Sequence, residues 1–252
     1  MRKKPGAGLR VVQVSDCHVS SDPDTDSRGV MAGSTLESLL PAILKFDPDL
    51  LLLTGDVSED ASPESYGRVS AMLSSIDVPV LALPGNHDNP GVMARCFPRG
   101  PWGGPLFYAH QGWQFVMLDS TRPGEICGFL DHGHLEGLRQ GLARSRAEHL
   151  LVALHHQPVE VGSPCFDRYP LQDPELLLEI LEKEPRVRGI AWGHIHQDYS
   201  SEYHGIRMLG SPSTAANTRP GTEKFTLDES GPACRWMVLG QDGVIQTGLL
   251  RV

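Results

Sequence analysis

A chain of 252 residues, 40% hydrophobic and 21% charged, has the composition of a globular protein with enough length for one sizeable core. The formal charge of −9 argues against a nucleic-acid backbone as partner, because such partners are met by a basic face, and no run approaches the roughly 18 apolar residues of a membrane span. Five cysteines, scattered and without Cys-x-x-Cys spacing, argue against a disulfide framework and a thiolate zinc site and predict reduced thiols.

The start, Met1-Arg2-Lys3-Lys4-Pro5, is basic with no apolar segment behind it, so it does not read as a secretory signal and the expected location is cytoplasmic. An apolar run at 9–14 predicts a strand, and runs at 50–53, 78–83, 115–118, 150–154 and 187–192 repeat it. Continuous apolar runs of this length suit strands covered on both faces. Helical patterns lie between them. Ser34-Thr35-Leu36-Glu37 has capping-box spacing, followed by a stripe of Leu36, Leu39, Leu40, Ile43 and Leu44 that Pro41 should kink. Ser62-Pro63 opens a second helix with Tyr66, Val69, Leu73 and Ile76 on one face. Leu135, Leu138 and Leu142 mark a third, with His132 and His134 at its start. Asp173-Pro174 opens a fourth whose Leu177, Ile180 and Leu181 face inward. The stretches 95–105 and 217–231 read as surface loops. Strand-like pieces follow at 206–209, 235–239 and 244–249, the last two joined by the hairpin signal in Gln241-Asp242-Gly243. The expected fold is therefore α/β, two packed mixed sheets with helices outside, in one domain over 1–252 whose C-terminal segment is strand-rich from about 205.

Five of the apolar runs end in side chains that can bind a cation: Asp16-Cys17-His18, Gly55-Asp56, Gly85-Asn86-His87-Asp88, His155-His156 and Gly193-His194-Ile195-His196. A lone histidine is more often a satisfied core or surface residue, but five strand ends bearing Asp, His or Asn at one sheet edge point to a site. If the first strand continues through them, Asp16 and His18 share a face and can hold one ion, which Asp56 can also reach. A carboxylate can bridge two metals about 3.5–4 Å apart, the separation of two-metal hydrolytic sites. Imidazole, carboxylate and the Asn86 amide oxygen without thiolate suit Mn, Fe or Zn and do not rank them. His156 should point away from the site as a supporting or surface residue, and Cys17 should pack. Trp102 and Trp113 could stack on a base, with core or loop packing at least as well supported.

Asp-x-His, Gly-Asp, Gly-Asn-His-Asp, His-His and Gly-His-x-His, in this order from Asp16 to His196, resemble the calcineurin-like metallophosphoesterase superfamily. The resemblance implies a four-layer α/β/β/α sandwich and two divalent or mixed-valence transition-metal ions, Fe, Mn or Zn. It places Asp16, His18 and His196 on one ion, Asn86, His155 and His194 on the other, and Asp56 on both. His87 is implied as the catalytic histidine beside them, a general acid toward the leaving oxygen. Gly193-His194-Ile195-His196-Gln197, Gly210-Ser211-Pro212-Ser213-Thr214, Phe225-Thr226-Leu227-Asp228 and Arg235-Trp236 look like bacterial class III 3′,5′-cyclic-nucleotide phosphodiesterases of the cyclic-AMP type. Ala215-Ala216-Asn217-Thr218 stands where those enzymes have Cys-Val-Gln-Phe. The implied reaction is hydrolysis of cyclic AMP to 5′-AMP, with nucleotide contacts at His18, Asp56, Asn86, His87 and His196. Alternatives with the same site are 2′,3′-cyclic nucleotide, phosphomonoester or nucleotide pyrophosphate hydrolysis, and, from another class, a non-catalytic scaffold. The expected partner is a small cyclic nucleotide, with no nucleic acid or membrane expected, and a homodimer is open.

Overall fold

The computed structural model describes residues 8–252, so the basic start at 1–5 lies outside the described residues. In chain order the elements are β1 (Leu9–Val14), α1 (Ala32–Phe46), β2 (Leu50–Thr54), α2 (Pro63–Leu73), β3 (Val80–Leu83), α3 (Pro90–Cys96), β4 (Leu106–His110), β5 (Trp113–Met117), α4 (His132–Arg144), β6 (His149–Ala153), α5 (Pro164–Asp167), α6 (Pro174–Glu182), β7 (Val187–Trp192), β8 (Tyr199–Tyr203), β9 (Ile206–Gly210), β10 (Ala233–Leu239) and β11 (Ile245–Arg251). Two mixed sheets result, one ordered β11-β10-β1-β2-β3 and the other β4-β5-β6-β7-β9-β8. In the first, β1, β2 and β3 run parallel and β10 and β11 are antiparallel; in the second, β5, β6, β7 and β9 run parallel between antiparallel β4 and β8.

Side-chain alternation along the apolar strands makes the four layers. On β1 and β2, Val11, Leu50 and Leu52 turn toward Phe115, Met117 and Leu151 of the other sheet. Their neighbours Val12, Leu51 and Leu53 turn outward onto Leu36 and Ile43 of α1 and Tyr66 and Val69 of α2. Across the molecule, Val116, Val152 and Ile190 face outward onto Leu135 and Leu138 of α4 and Leu177 and Leu181 of α6. A strand buried on both faces has no polar side to show, which is why these segments read as unbroken apolar runs.

Some expected details differ. The helix over α1 begins before the proposed capping box: Met31 is its cap, without a side-chain bond, and Ser34 lies within the first turn. It continues through Pro41, which sits on the exposed face where water can reach the Glu37 carbonyl deprived of its partner. Leu44 is exposed rather than part of the buried stripe, and Ile76 is buried but lies beyond the end of α2. Ser62 does cap α2, accepting from the Ser65 amide. The loop at 95–105 begins on α3, whose cap Asn89 accepts from Gly91 and Val92. Asn217 and Thr218, at the start of the other expected loop, are buried. Of the strands in the C-terminal segment, β9 joins the second sheet beside β7, and β10 pairs with β1 and continues the first. All five cysteines are free thiols. Among the described residues, no helix is long and apolar enough to cross a membrane.

Candidate metal centre

The carboxyl ends of β1, β2, β3, β6 and β7 converge on one edge of the molecule, and each delivers its polar side chains there. The proposed strand continuation past Val14 is not how Asp16 and His18 meet. The strand stops at Val14, and Asp16 (φ 52°) and His18 (φ 46°) adopt left-handed backbone, as do Asp56 (φ 48°), His194 (φ 66°) and His196 (φ 47°). Left-handed geometry costs a non-glycine residue about 1–2 kcal/mol and persists where surroundings enforce it. Here the enforcement is a ladder between two loops. Asp16 donates to the Gly55 carbonyl, His18 to that of Asp56 and Val19 to that of Val57, at 3.0, 2.9 and 3.2 Å.

Asp16, His18 and His196 bring their nearest ligand atoms within 4.8 Å of one another, as do Asp16, Asp56 and His155, and likewise His18, Asp56 and His87. Asp56 lies between the two halves. Its Oδ2 is 3.7 Å from His18 Nε2 and 3.5 Å from His155 Nε2, while its Oδ1 accepts the His87 amide at 2.9 Å. Three imidazoles are set by the far side of the ring. His155 Nδ1 donates to the Thr54 carbonyl, His196 Nδ1 to that of Ala216, and His18 Nδ1 to the Glu59 carboxylate, at 2.8, 2.7 and 2.7 Å. His18 and His196 thereby present an Nε2 lone pair inward, the arrangement of metal-binding histidines, and His155 does so once its Nε2 gives up the proton that Asp56 holds there. His18 Nε2 and His196 Nε2 face each other at 3.2 Å, two acceptors that a shared cation would reconcile.

Whether the residues fit cations is tested by their buried polar atoms. Asn86 Oδ1, His155 Nε2 and His194 Nε2 are buried without a hydrogen-bond partner. Such orphaned atoms are costly when buried; His155 Nε2 lies 3.5 Å from Asp56 Oδ2, and Asn86, His194 and Asp56 line one cleft, so together they make a donor set that a cation satisfies. His156 lies against the cluster, its ring centre 4.9 Å from that of His155 and 4.8 Å from that of His194, and it is fully buried rather than on the surface. Its Nε2 donates to the Ile126 carbonyl at 3.0 Å and its Nδ1 pairs with the Ser120 hydroxyl at 2.8 Å, so no lone pair is left for an ion. Cys17 is buried in the packing between β1 and its helices. Trp102 and Trp113 serve packing too, their indole N–H groups donating to Phe97 and Gly240 carbonyls.

Electrostatics divide the site. Burial is the largest influence on Asp56 and would raise it, but His155, His18 and His87 together hold the carboxyl well below its usual range. Burial is likewise the largest influence on His155 and would lower it, but Asp56, Asp16 and the Thr54 carbonyl together raise the imidazole to about 9. Asp16 is pressed upward by burial and brought down to about 2 by His196. Burial dominates for His18 and His194, lowered to about 4 and about 3.

Other residues support the cluster, and of these Glu59 lies outside every motif. Asp88, beside the candidate ligand Asn86, accepts from the Val57, Ser58 and Gly85 amides and the Tyr66 hydroxyl, at 2.9–3.2 Å, tying the loops after β2 and β3 together. Glu59 orients His18 and lies 3.9 Å from His87 Nδ1. Ser213 donates to the Asp16 carbonyl at 2.7 Å, giving the segment after β9 a role as buttress. Close approach requires a glycine at 193, where a Cβ would lie 2.7 Å from Asp16 Oδ2. Above the cluster opens a cleft of about 500 Å³ lined on one side by Asp56, Asn86, His87, His194 and His196.

The sequence pattern of the calcineurin-like phosphoesterase family matches residues 9–198. The 3′,5′-cyclic adenosine monophosphate phosphodiesterase CpdA of Pseudomonas aeruginosa is 35% identical over 248 residues, 98% of this chain and 91% of that protein. The protein of the same name from Escherichia coli (strain K12) is 31% identical over 249 residues, 98% of this chain and 90% of its own length. Among solved structures, a dimetal phosphatase from Danio rerio superposes with a TM-score of 0.69 at 16% identity, covering 97% of this chain and 99% of that one, which shows a common fold.

Proposed function

This chain belongs to the calcineurin-like phosphoesterase family, and from that premise we propose that it hydrolyses a 3′,5′-cyclic nucleotide, with cyclic AMP as substrate and 5′-AMP as product. The chain is a metal-dependent phosphodiesterase. The observation that carries the reading is the set of unpartnered buried atoms, Asn86 Oδ1, His155 Nε2 and His194 Nε2, at the cleft where the Asp56 carboxylate meets His18 and His155. On this reading Asp16, His18 and His196 would hold one ion, Asn86, His155 and His194 would hold the other, and Asp56 would serve both. The donor types support Fe, Mn or Zn, as a divalent or mixed-valence pair. Bound there, such a pair supplies Lewis-acid charge for the phosphoryl oxygens and lowers the pKa of water enough to make a nucleophile at neutral pH.

The remaining work belongs to the chain. The phosphate lies among His18, Asp56, Asn86, His87 and His196. Opening the ring toward 5′-AMP leaves charge on the ribose 3′ oxygen, and the imidazole of His87, whose side chain is 31% exposed to the cleft, donates the proton that this oxygen needs. Glu59 steadies that ring from its Nδ1 side. We read residues 1–252 as one domain, a reading supported by β10 and β11 completing the sheet that carries Asp16 and Asp56. A cytoplasmic location is supported by the five unpaired thiols, and the charge of −9 supports a small-molecule partner over nucleic acid. A homodimer is compatible with the reading.

The test is an assay of protein reconstituted with Mn, Fe or Zn against cyclic AMP, cyclic GMP, 2′,3′-cyclic AMP, a phosphomonoester and a nucleotide pyrophosphate. Cyclic AMP should give the highest kcat/KM among them, with 5′-AMP as product. A higher value for the 2′,3′-cyclic nucleotide or the monoester would transfer the activity to that class. No turnover of any of them by the loaded protein would leave the scaffold reading.

A further inference from the structure

The cleft above the metal-capable cluster has a second wall that phosphoester cleavage does not use. Ile126, Phe166, Tyr169 and Phe225 give it apolar and aromatic surface, beside the charged side chains of Arg28 and Glu125. Phe225 and Ile126 are 36% and 49% exposed, so neither is accounted for by the core. Phe166 lies nearly parallel to His196, with ring centres 5.6 Å apart and planes at 19°, and Phe225 stands edge-on to the same imidazole at 5.9 Å and 88°. Aromatic surface thus begins directly beside a residue placed at the phosphate.

Phe225 is also held in position without being packed into the interior. Thr226, its neighbour, donates its amide to Thr218 Oγ1 at 2.9 Å, and its carbonyl accepts from the Arg219 amide and the Thr218 hydroxyl at 2.8 and 3.1 Å. Thr218 in turn donates its amide to the His196 carbonyl at 3.0 Å. The segment bearing Phe225 is therefore hydrogen-bonded to the backbone of the histidine that its ring faces. The Arg28 guanidinium lies 5.9 Å from the Phe225 ring centre, a cation at the reach of a π face. An exposed aromatic ring that is pre-positioned, next to a phosphate site, suits a planar π surface joined to that phosphate by a sugar.

We propose that Phe225 is the principal stacking platform for the nucleobase of the substrate, with Phe166 and Ile126 extending the same apolar wall. This rests on the cyclic-nucleotide reading above and adds to it the residue that makes a nucleotide preferable to a plain phosphodiester. Recognition by stacking engages the face of the base, a contact whose worth by alanine substitution corresponds to about 5- to 150-fold in affinity.

The test compares ligands that differ only in the base. Binding of 5′-AMP and of ribose 5-phosphate to metal-loaded protein is measured by calorimetry, in the wild type and in Phe225→Ala and Phe225→Tyr. The preference of the wild type for 5′-AMP should fall at least about 5-fold in Phe225→Ala and return in Phe225→Tyr, which keeps the ring. In turnover, the ratio of kcat/KM for cyclic AMP to that for methyl riboside 3′,5′-cyclic phosphate should fall in parallel, with the loss in KM. An unchanged binding preference in Phe225→Ala would overturn the platform whether or not cyclic AMP is hydrolysed. Failure of the wild type to hydrolyse cyclic AMP, with the binding preference intact and Phe225-dependent, would instead overturn the substrate assignment and leave the platform standing.

Discussion

Between themselves, Asp56 and His155 stabilise each other's charged forms: the carboxyl is held well below its usual range and the imidazole is raised to about 9. At neutral pH His155 therefore carries a proton on a nitrogen that a cation needs. Metal loading near pH 7 should release about one proton through this residue, and affinity should rise with pH until the imidazole is neutral, near 9. Calorimetry in buffers of different ionisation enthalpy reads that proton; loading without proton release would contradict the pairing. His87 makes a different test, because its proposed task is proton donation. His87→Ala should keep both metals and lose about 10²- to 10⁴-fold in kcat on cyclic AMP, yet lose far less on a nitrophenyl diester whose leaving group departs unaided. Equal losses on both substrates, or loss of metal, would assign His87 another role. The side chains gathered here were legible as Asp, His and Asn at strand ends. Glu59 and the Ala216 carbonyl were not, because a second partner of an imidazole is defined by the reach of a folded loop and leaves no spacing in the sequence.

At the scale of elements, the site is an edge where loops are stitched to one another. The apolar runs announced the strands because burial on both faces leaves them no polar alternation. They could not announce the loop backbone. Strand pleating seemed to explain the pairing of Asp16 with His18, whereas left-handed residues and the ladder onto the loop after β2 bring them together. The edge strands β4 and β8 were equally hard to read, since their partly exposed residues break the apolar pattern. Asp88 is the stitch between the loops after β2 and β3, and its removal would strand three backbone N–H groups. Asp88→Ala should therefore destabilise the fold by about 2 kcal/mol or more, a fall of roughly 5 °C in melting temperature, and weaken metal retention. An unchanged melting temperature with full metal content would show that the two loops hold without it.

Over the whole molecule, two sheets packed face to face set five strand ends side by side, and the outer helices cover their backs, α2 also reaching the site through Tyr66. That convergence turns scattered residues between Asp16 and His196 into one cluster, and motif order made it readable from the chain. The aromatic wall was not read as such: Phe225 stood out only as the start of Phe225-Thr226-Leu227-Asp228, and neither it nor Phe166, from a loop and a short helix, has a periodic signal that places it at the cleft. A ligand that binds only the folded state adds stability by mass action, so saturating metal should raise the melting temperature and chelation should lower it. The account as a whole turns on a pair of cations sharing Asp56. Metal content per chain, determined by elemental analysis on fully active protein and on Asp56→Ala, tests it most directly. The account predicts two transition-metal ions in the wild type with both bound more weakly in the variant, and one ion or fewer in active wild-type protein, or two retained at full activity by Asp56→Ala, would contradict it.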